Sequence, residues 1–196
     1  TIGLTATSLD NGGTLNGLNG FTGTFSGKLT NSGQIQSGRA LNFSADSILN
    51  PGRMTGKTLA LNARDLTNSG LWQGSDGLTL TGDTLATTAT SRTLTGGTLT
   101  LDAGQLTTQG TLQGNSVEVT SDGWTHGGTL LSLGGLTANV GGTLTSNGSL
   151  MSKGAADVTA QTLDNRGQLL GEGDVTLGGA MLKNSGTVQG KNLALH

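Results

Sequence analysis

The sequence predicts an all-β chain folded as a right-handed parallel β-helix, a solenoid of about ten coils of about 19 residues each, a repeat length typical of stacked units. Three observations predict it. A large apolar residue recurs at Leu9, Leu29, Ile48, Leu66, Leu85, Leu106, Trp124, Leu144, Leu163 and Leu182. The intervals are nearly equal, as they are where supersecondary units stack. Two and four residues after each anchor stand a polar column and a glycine column, which mark a turn. Beyond the turn, apolar residues alternate with polar ones, as in Leu59/Leu61, Leu78/Leu80, Leu99/Leu101 and Val117/Val119. Alternation at period two means a strand with one buried face.

Each repeat is justified element by element. The anchor opens a short strand. The polar column follows at Asn11, Asn31, Asn50, Asn68, Thr87, Thr108, His126, Ser146, Asn165 and Asn184, and the glycine column at Gly13, Gly33, Gly52, Gly70, Gly110, Gly128, Gly148, Gly167 and Gly186, with Ala89 the exception. Asn tolerates left-handed backbone and Gly supplies positive φ without a steric penalty, so Asn-x-Gly reads as a turn. A second short strand carries Leu15, Ile35, Met54, Trp72, Ser91, Leu112, Leu130, Leu150, Leu169 and Val188, and a third carries the alternating pairs. No segment has room for a ten-residue helix. A unit this small cannot bury its own apolar face and must stack on its neighbours; parallel crossovers prefer the right hand. Equivalent residues then pile into columns, leucines filling a narrow interior and Asn side chains hydrogen-bonding along the stack. The coil that starts at Leu85 is longest, and "TATSRTLTGG" predicts a bulge or short loop that moves the second strand to Leu94.

Composition supports this and excludes several function classes. Apolar residues make up 32% and aromatics 3%, with 36 glycines and one proline. Low apolar content often signals disorder, but charge is also sparse, at 11% with a net of −2, and the leucines are regularly placed. There is no cysteine, hence no disulfide framework, thiolate metal site or cysteine nucleophile. No apolar run approaches the length a membrane-spanning helix needs, so no transmembrane segment is expected. The near-neutral charge offers no electrostatic footprint for nucleic acid.

"NPGRMTGKTLALN", from Asn50 to Asn62, contains Gly-Lys-Thr, but only Arg53, Met54 and Thr55 separate Gly52 from Gly56, one fewer than in a phosphate loop. "TGKTLALN" also returns as "QGKNLALH" at Gln189 to His196. Gly56 is therefore read as a coil corner, shared with Gly74, Gly114, Gly171 and Gly190, with Lys57 pointing into water. No G-x-S-x-G, S-x-x-K or H-E-x-x-H motif occurs. "GEGD" at Gly171 to Asp174 is a single copy of a pattern that binds calcium only in tandem. His126 is read as a stand-in for Asn, and Trp72 and Trp124 as core. The residues assigned a structural role are Asn11, Asn31, Asn50, Asn68, Asn165 and Asn184. Asp46, Asp65, Asp83, Asp102 and Asp122, which recur once per coil, are the surface-site candidates. They read either as solvated turn caps or as a row of carboxylates for calcium or acid–base work. The first reading is preferred, because Arg64 is the only basic neighbour and no exposed aromatic accompanies them. No catalytic residue, cofactor or metal is assigned.

"LTNSGQIQSGRALNFSAD", "LTNSGLWQGSDGLTLTG", "LDNRGQLLGEGDVTLGG" and "LKNSGTVQGKNLAL" resemble the filamentous-haemagglutinin repeats of large two-partner-secreted exoproteins of Gram-negative bacteria, over roughly residues 9 to 195. That group includes haemagglutinin adhesins and contact-dependent growth inhibition exoproteins. The resemblance implies a secreted rod on the outer cell surface, an outer-membrane transporter as secretion partner, and a receptor on a host or neighbouring bacterial cell. The family's secretion domain carries NPNG- and NPNL-type motifs; here only "NPGR" at Asn50 to Arg53 comes near, inside a repeat. The chain thus reads as one β-helical segment, 1–196, of a longer filament. Its expected function is structural: holding a distal domain away from the cell. The alternatives are a β-helical polysaccharide lyase or hydrolase using the Asp row, or a receptor-binding module of the same filament.

Overall fold

The computed structural model describes residues 1–196, which form strands joined by turns and short loops, with no helix. Each coil contributes three strands. In the first these are Ile2–Ala6, Leu9–Asn11 and Thr14–Gly17; in the second, Phe21–Phe25, Lys28–Asn31 and Gln34–Ser37. Farther on the chain turns some corners without leaving the ladder, so that Ala40–Asn50, Arg53–Asn68, Leu71–Thr87, Thr98–Thr108, Ser116–His126 and Leu136–Ser146 each run through more than one side of the coil. Every strand pairing is parallel and joins a coil to the next. The result is a parallel β-solenoid of about ten turns of about 19 residues, within the range of repeat lengths that build solenoids.

The register follows the sequence columns. Leu9 pairs with Leu29, Leu29 with Ile48, Ile48 with Leu66, Leu66 with Leu85, Leu85 with Leu106, Leu106 with Trp124, Trp124 with Leu144, Leu144 with Leu163 and Leu163 with Leu182. Side chains alternate across a strand, so within Thr98–Thr108 Leu99, Leu101, Ala103, Leu106 and Thr108 point in and Asp102 points out. Stacking makes one continuous apolar core from Phe21 to Leu177. Each fully buried leucine contributes roughly 1.5–3 kcal/mol relative to exposure. Trp72 and Trp124 lie in this core, at 0% and 1% exposure. Phe43 meets Phe21 and Phe25 edge-on, with ring centroids 5.1 and 6.0 Å apart.

Two expectations are corrected. The coil from Leu85 does carry the longer loop, Thr88 to Ser91, with Ala89 and Thr90 exposed. Its second strand is Arg92–Thr95, however, and Thr93, not Leu94, faces the core. Thr93 pairs with Trp72 on one side and Leu112 on the other. Beside a tryptophan the interior has room for a small side chain, and Leu94 turns outward.

The second correction concerns why glycine recurs after the anchor. No Asn is left-handed, and Gly110 alone in that column has positive φ, at 71°. The cause is stacking. A Cβ at Gly33, Gly52, Gly70, Gly128, Gly148, Gly167 or Gly186 would come within 3.0 Å of a main-chain carbonyl of the coil before it, closer than real Cβ atoms come. Gly13, with no coil beneath it, would meet nothing within 4 Å.

Candidate functional site

The most organised chemistry in the molecule is the polar column, which points into the coil. Asn31, Asn50, Asn68 and Asn165 are fully buried, Asn11 is 7% exposed, and Asn184, near the chain's end, is exposed. Asn11 Nδ2 donates to Asn31 Oδ1 at 2.8 Å, Asn31 Nδ2 to Asn50 Oδ1 at 2.8 Å, and Asn50 Nδ2 to Asn68 Oδ1 at 3.0 Å. Each nitrogen spends its second proton on the carbonyl that opens the next coil's second strand: Gln34, Arg53 and Leu71, at 3.1, 3.0 and 3.0 Å. Two bonds per carboxamide thus tie one coil to the next, inside, where an unmade bond costs about 1–3 kcal/mol.

His126 continues the column and is completely buried. Trp124 Nε1 donates to Thr108 Oγ1 at 2.8 Å, and Thr108 Oγ1 lies 2.8 Å from His126 Nδ1. His126 Nε2 is 3.0 Å from the Ser149 carbonyl, which can only accept. The proton therefore sits on Nε2, and the Thr108 hydroxyl donates to a neutral Nδ1. Burial pushes the His126 pKa below its ordinary 6.5, against the opposing pull of main-chain hydrogen bonds to Ser149 and Gly128. A histidine with both nitrogens occupied in a dry core has no path to a substrate.

The structure does not bring the five aspartates into one line. Asp46 aligns with Arg64 and, through it, with Asp83 and Asp122; Asp65 lies one column over, between Ser47 and Thr84; Asp102 belongs to the outer row of Thr81 and Thr120. The once-per-coil spacing is real, but coil length varies slightly, which moves Asp65 and Asp102 off the column that Asp46, Asp83 and Asp122 share. Arg64 bridges Asp46 at 3.4 Å and Asp65 at 3.1 Å, and the Thr84 hydroxyl donates to Asp65. Asp83, Asp102 and Asp122 lie on the outside of the coil. Lys57 stands in water at its corner, 3.4 Å from Asp76, and Asp174 of the "GEGD" stretch accepts from Asn192 Nδ2 at 2.8 Å.

Two surface features escape a reading by columns. Asp164 binds Arg166 through Nη2 at 2.7 Å and Nε at 3.0 Å, and that hydrogen bonding holds its carboxyl below the usual range. Leu131, Met151 and Leu170 pair in sequence on the outside of the second strand and are half-buried. Their signal is the apolar doublets Leu130-Leu131, Leu150-Met151 and Leu169-Leu170, which break the alternation.

The repeat seen in sequence and structure is matched by a family model. The haemagglutinin repeat matches residues 1–50, 53–123 and 95–195. The chain belongs to the haemagglutinin repeat family. Among curated relatives, the tRNA nuclease CdiA of Escherichia coli O6:K15:H31 (strain 536 / UPEC) is 42% identical over 167 residues, covering 85% of this chain and 5% of the relative. The 16S rRNA endonuclease CdiA of Enterobacter cloacae subsp. cloacae is 40% identical over 130 residues, covering 66% and 4%, and the deoxyribonuclease CdiA of Dickeya dadantii (strain 3937) 37% over 197 residues, covering 97% and 6%. The chain thus spans about a twentieth of the relatives it matches, and the match is to repeat sequence. No solved structure matches. As a haemagglutinin repeat segment it is a rod-forming part of a secreted surface exoprotein of a Gram-negative bacterium.

Proposed function

We propose that this segment is a non-enzymatic spacer within a much longer filament, holding a toxin or binding module away from the producing cell. One observation carries the reading: a single apolar core and an in-register anchor column run from Leu9 to Leu182 with every pairing parallel and only local register shifts, so the segment transmits position along its length. The relatives support it. Their names state three different nuclease activities, while the shared stretch is the same repeat. A part common to proteins that cut different nucleic acids is the part that does not cut. The secretion partner is an outer-membrane transporter, and the receptor is read by another part of the filament. The net charge of −2 gives this stretch no means of attracting nucleic acid.

In-frame removal of two whole coils, residues 48–84, from the parent exoprotein tests the spacer. Secretion and toxin delivery should persist, with the filament shortened by about 10 Å from the inter-strand spacing. Loss of delivery with secretion and surface display intact would overturn it. The outward stripe of Leu131, Met151 and Leu170 favours one second reading, a receptor-binding face. Replacing all three with Gln should then abolish binding of the segment to target cells; unchanged binding, or none in the wild type, leaves the spacer alone.

A further inference from the structure

The polar column is closed by protein groups at every step but one. Past the asparagine run, Asn68 Nδ2 reaches Thr93 Oγ1 at 3.3 Å and the Arg92 carbonyl at 3.0 Å. Thr87 Oγ1 donates to the Gln109 carbonyl at 2.8 Å and accepts from Gln109 N at 3.0 Å. Thr108 and His126 close the next two steps as described. The exception lies between Ser146 and Asn165. These residues are register partners, 1% and 0% exposed. Neither Ser146 Oγ nor Asn165 Oδ1 has a hydrogen-bond partner in the protein. The orientation of Asn165 is fixed, because its Nδ2 donates onward to Asn184 Oδ1 at 2.8 Å and to the Thr187 carbonyl at 3.0 Å. Its Oδ1 therefore looks back toward Ser146. The main chain at this step is sound: Arg166 N and Gly167 N both reach the Ser146 carbonyl, at 2.8 and 3.0 Å.

We infer that one buried water molecule is bound at this step, standing where the carboxamide nitrogen of an asparagine would stand. An Asn in this column serves two acceptors in the next coil, the Oδ1 of its column neighbour and the carbonyl that opens the second strand. For Ser146 those acceptors are Asn165 Oδ1 and the Gln168 carbonyl, since Gln168 is the register partner of Ser149 and of Thr187. Serine lacks two heavy atoms of the carboxamide, so its hydroxyl falls short of both. Water has two protons for the two acceptors and a lone pair for the Ser146 hydroxyl proton. Three hydrogen bonds are the usual complement of a buried water. An apolar filling would leave Asn165 Oδ1 desolvated and unpaired, which is costly. A metal cation would find neutral oxygens and no carboxylate, because Asp164 is turned outward onto Arg166. The spine of the rod thus stays continuous, with one rung made of an exchangeable molecule in place of a side chain.

A crystal structure of the chain at a resolution that shows ordered water tests this directly. The expected result is a peak within hydrogen-bond distance of Ser146 Oγ, Asn165 Oδ1 and the Gln168 carbonyl. In Ser146→Asn that peak should vanish, the new Nδ2 should occupy its place, and the melting temperature should rise by about 2–4 °C, the value of one added hydrogen bond in a chain of this size. No peak at that point in the wild type overturns the inference. A peak that survives in Ser146→Asn, or a variant that folds and melts below the wild type, overturns it as well. Should Ser146→Asn fail to fold, the wild-type density decides alone.

Discussion

The coils from Asn11 to Asn68 and those from Thr87 to Ser146 share one main-chain register and differ in what fills the polar column. In the first region four carboxamides repeat one pair of hydrogen bonds. In the second, two threonines and a histidine close the column each in its own way, and Ser146 leaves a step that no protein group closes. Parallel pairing does not change across the boundary. The difference teaches that the side-chain ladder does not set the register. The stacked main chain and the glycine column set it, and the polar column has only to leave no buried donor or acceptor unmet. Asn does this with one residue type; other residues do it when a neighbour cooperates, as Thr93 and Trp124 do.

The comparison can be broken or sharpened by mutation. The largest effect belongs to the feature both regions share. Gly52→Ala or Gly148→Ala places a Cβ against main-chain carbonyl, which no side-chain motion relieves, and should cost about 3 kcal/mol. Gly13→Ala, with open space below, should cost less than about 1 kcal/mol. Urea unfolding of the three variants checks this, and equal losses at all three would refute the stacking explanation.

Next comes the ladder itself. Asn50→Leu removes the acceptor of Asn31 Nδ2 and the donor to Asn68 Oδ1 and to the Leu71 carbonyl, and should destabilise by about 2 kcal/mol. Asn31→Leu and Asn68→Leu should behave alike. Thr87→Val, which breaks only a local exchange with Gln109, should cost about 1 kcal/mol. Comparable denaturation midpoints for Asn50→Leu and Thr87→Val would erase the distinction between the regions.

The third effect is smaller and depends on pH. Because the His126 pKa is depressed in the fold, the unfolded chain takes up a proton first as pH falls through 6.5. The folded state therefore keeps its full stability above that pH and loses it progressively toward the lower, folded pKa. Melting temperatures measured from about pH 7 down to about pH 5 should fall more steeply for the wild type than for His126→Asn, which makes the middle region resemble the first. Parallel curves would remove histidine as the source.

The smallest effect lies on the outside of the coils. Replacing Asp65, Asp83 and Asp102 with Asn should change stability by no more than about 0.5 kcal/mol, since exposed ion pairs such as Arg64 with Asp65 contribute little. Calcium should raise the melting temperature no more than magnesium does. A calcium-specific rise that the triple variant loses would reopen a metal site at these carboxylates.

Sequence by itself determined the number of coils, their length, and the register of the anchors, because a residue that must be buried at every turn leaves a period that needs no third dimension to see. It also placed Trp72 and Trp124 in the core, since each occupies a column whose other members are apolar but for Ser91, and it read His126 as a stand-in for Asn in the polar column. Only the tertiary structure decided what those columns do. Whether Thr93 or Leu94 enters the core depends on the space beside Trp72, which linear spacing does not carry. Of the five aspartates only Asp46, Asp83 and Asp122 share a column, because slight differences in coil length, invisible in an average period, shift Asp65 and Asp102 by a residue or two. The glycines recur because the carbonyl of the coil before occupies the position of a Cβ, and that carbonyl is one whole coil away along the chain and in van der Waals contact through space.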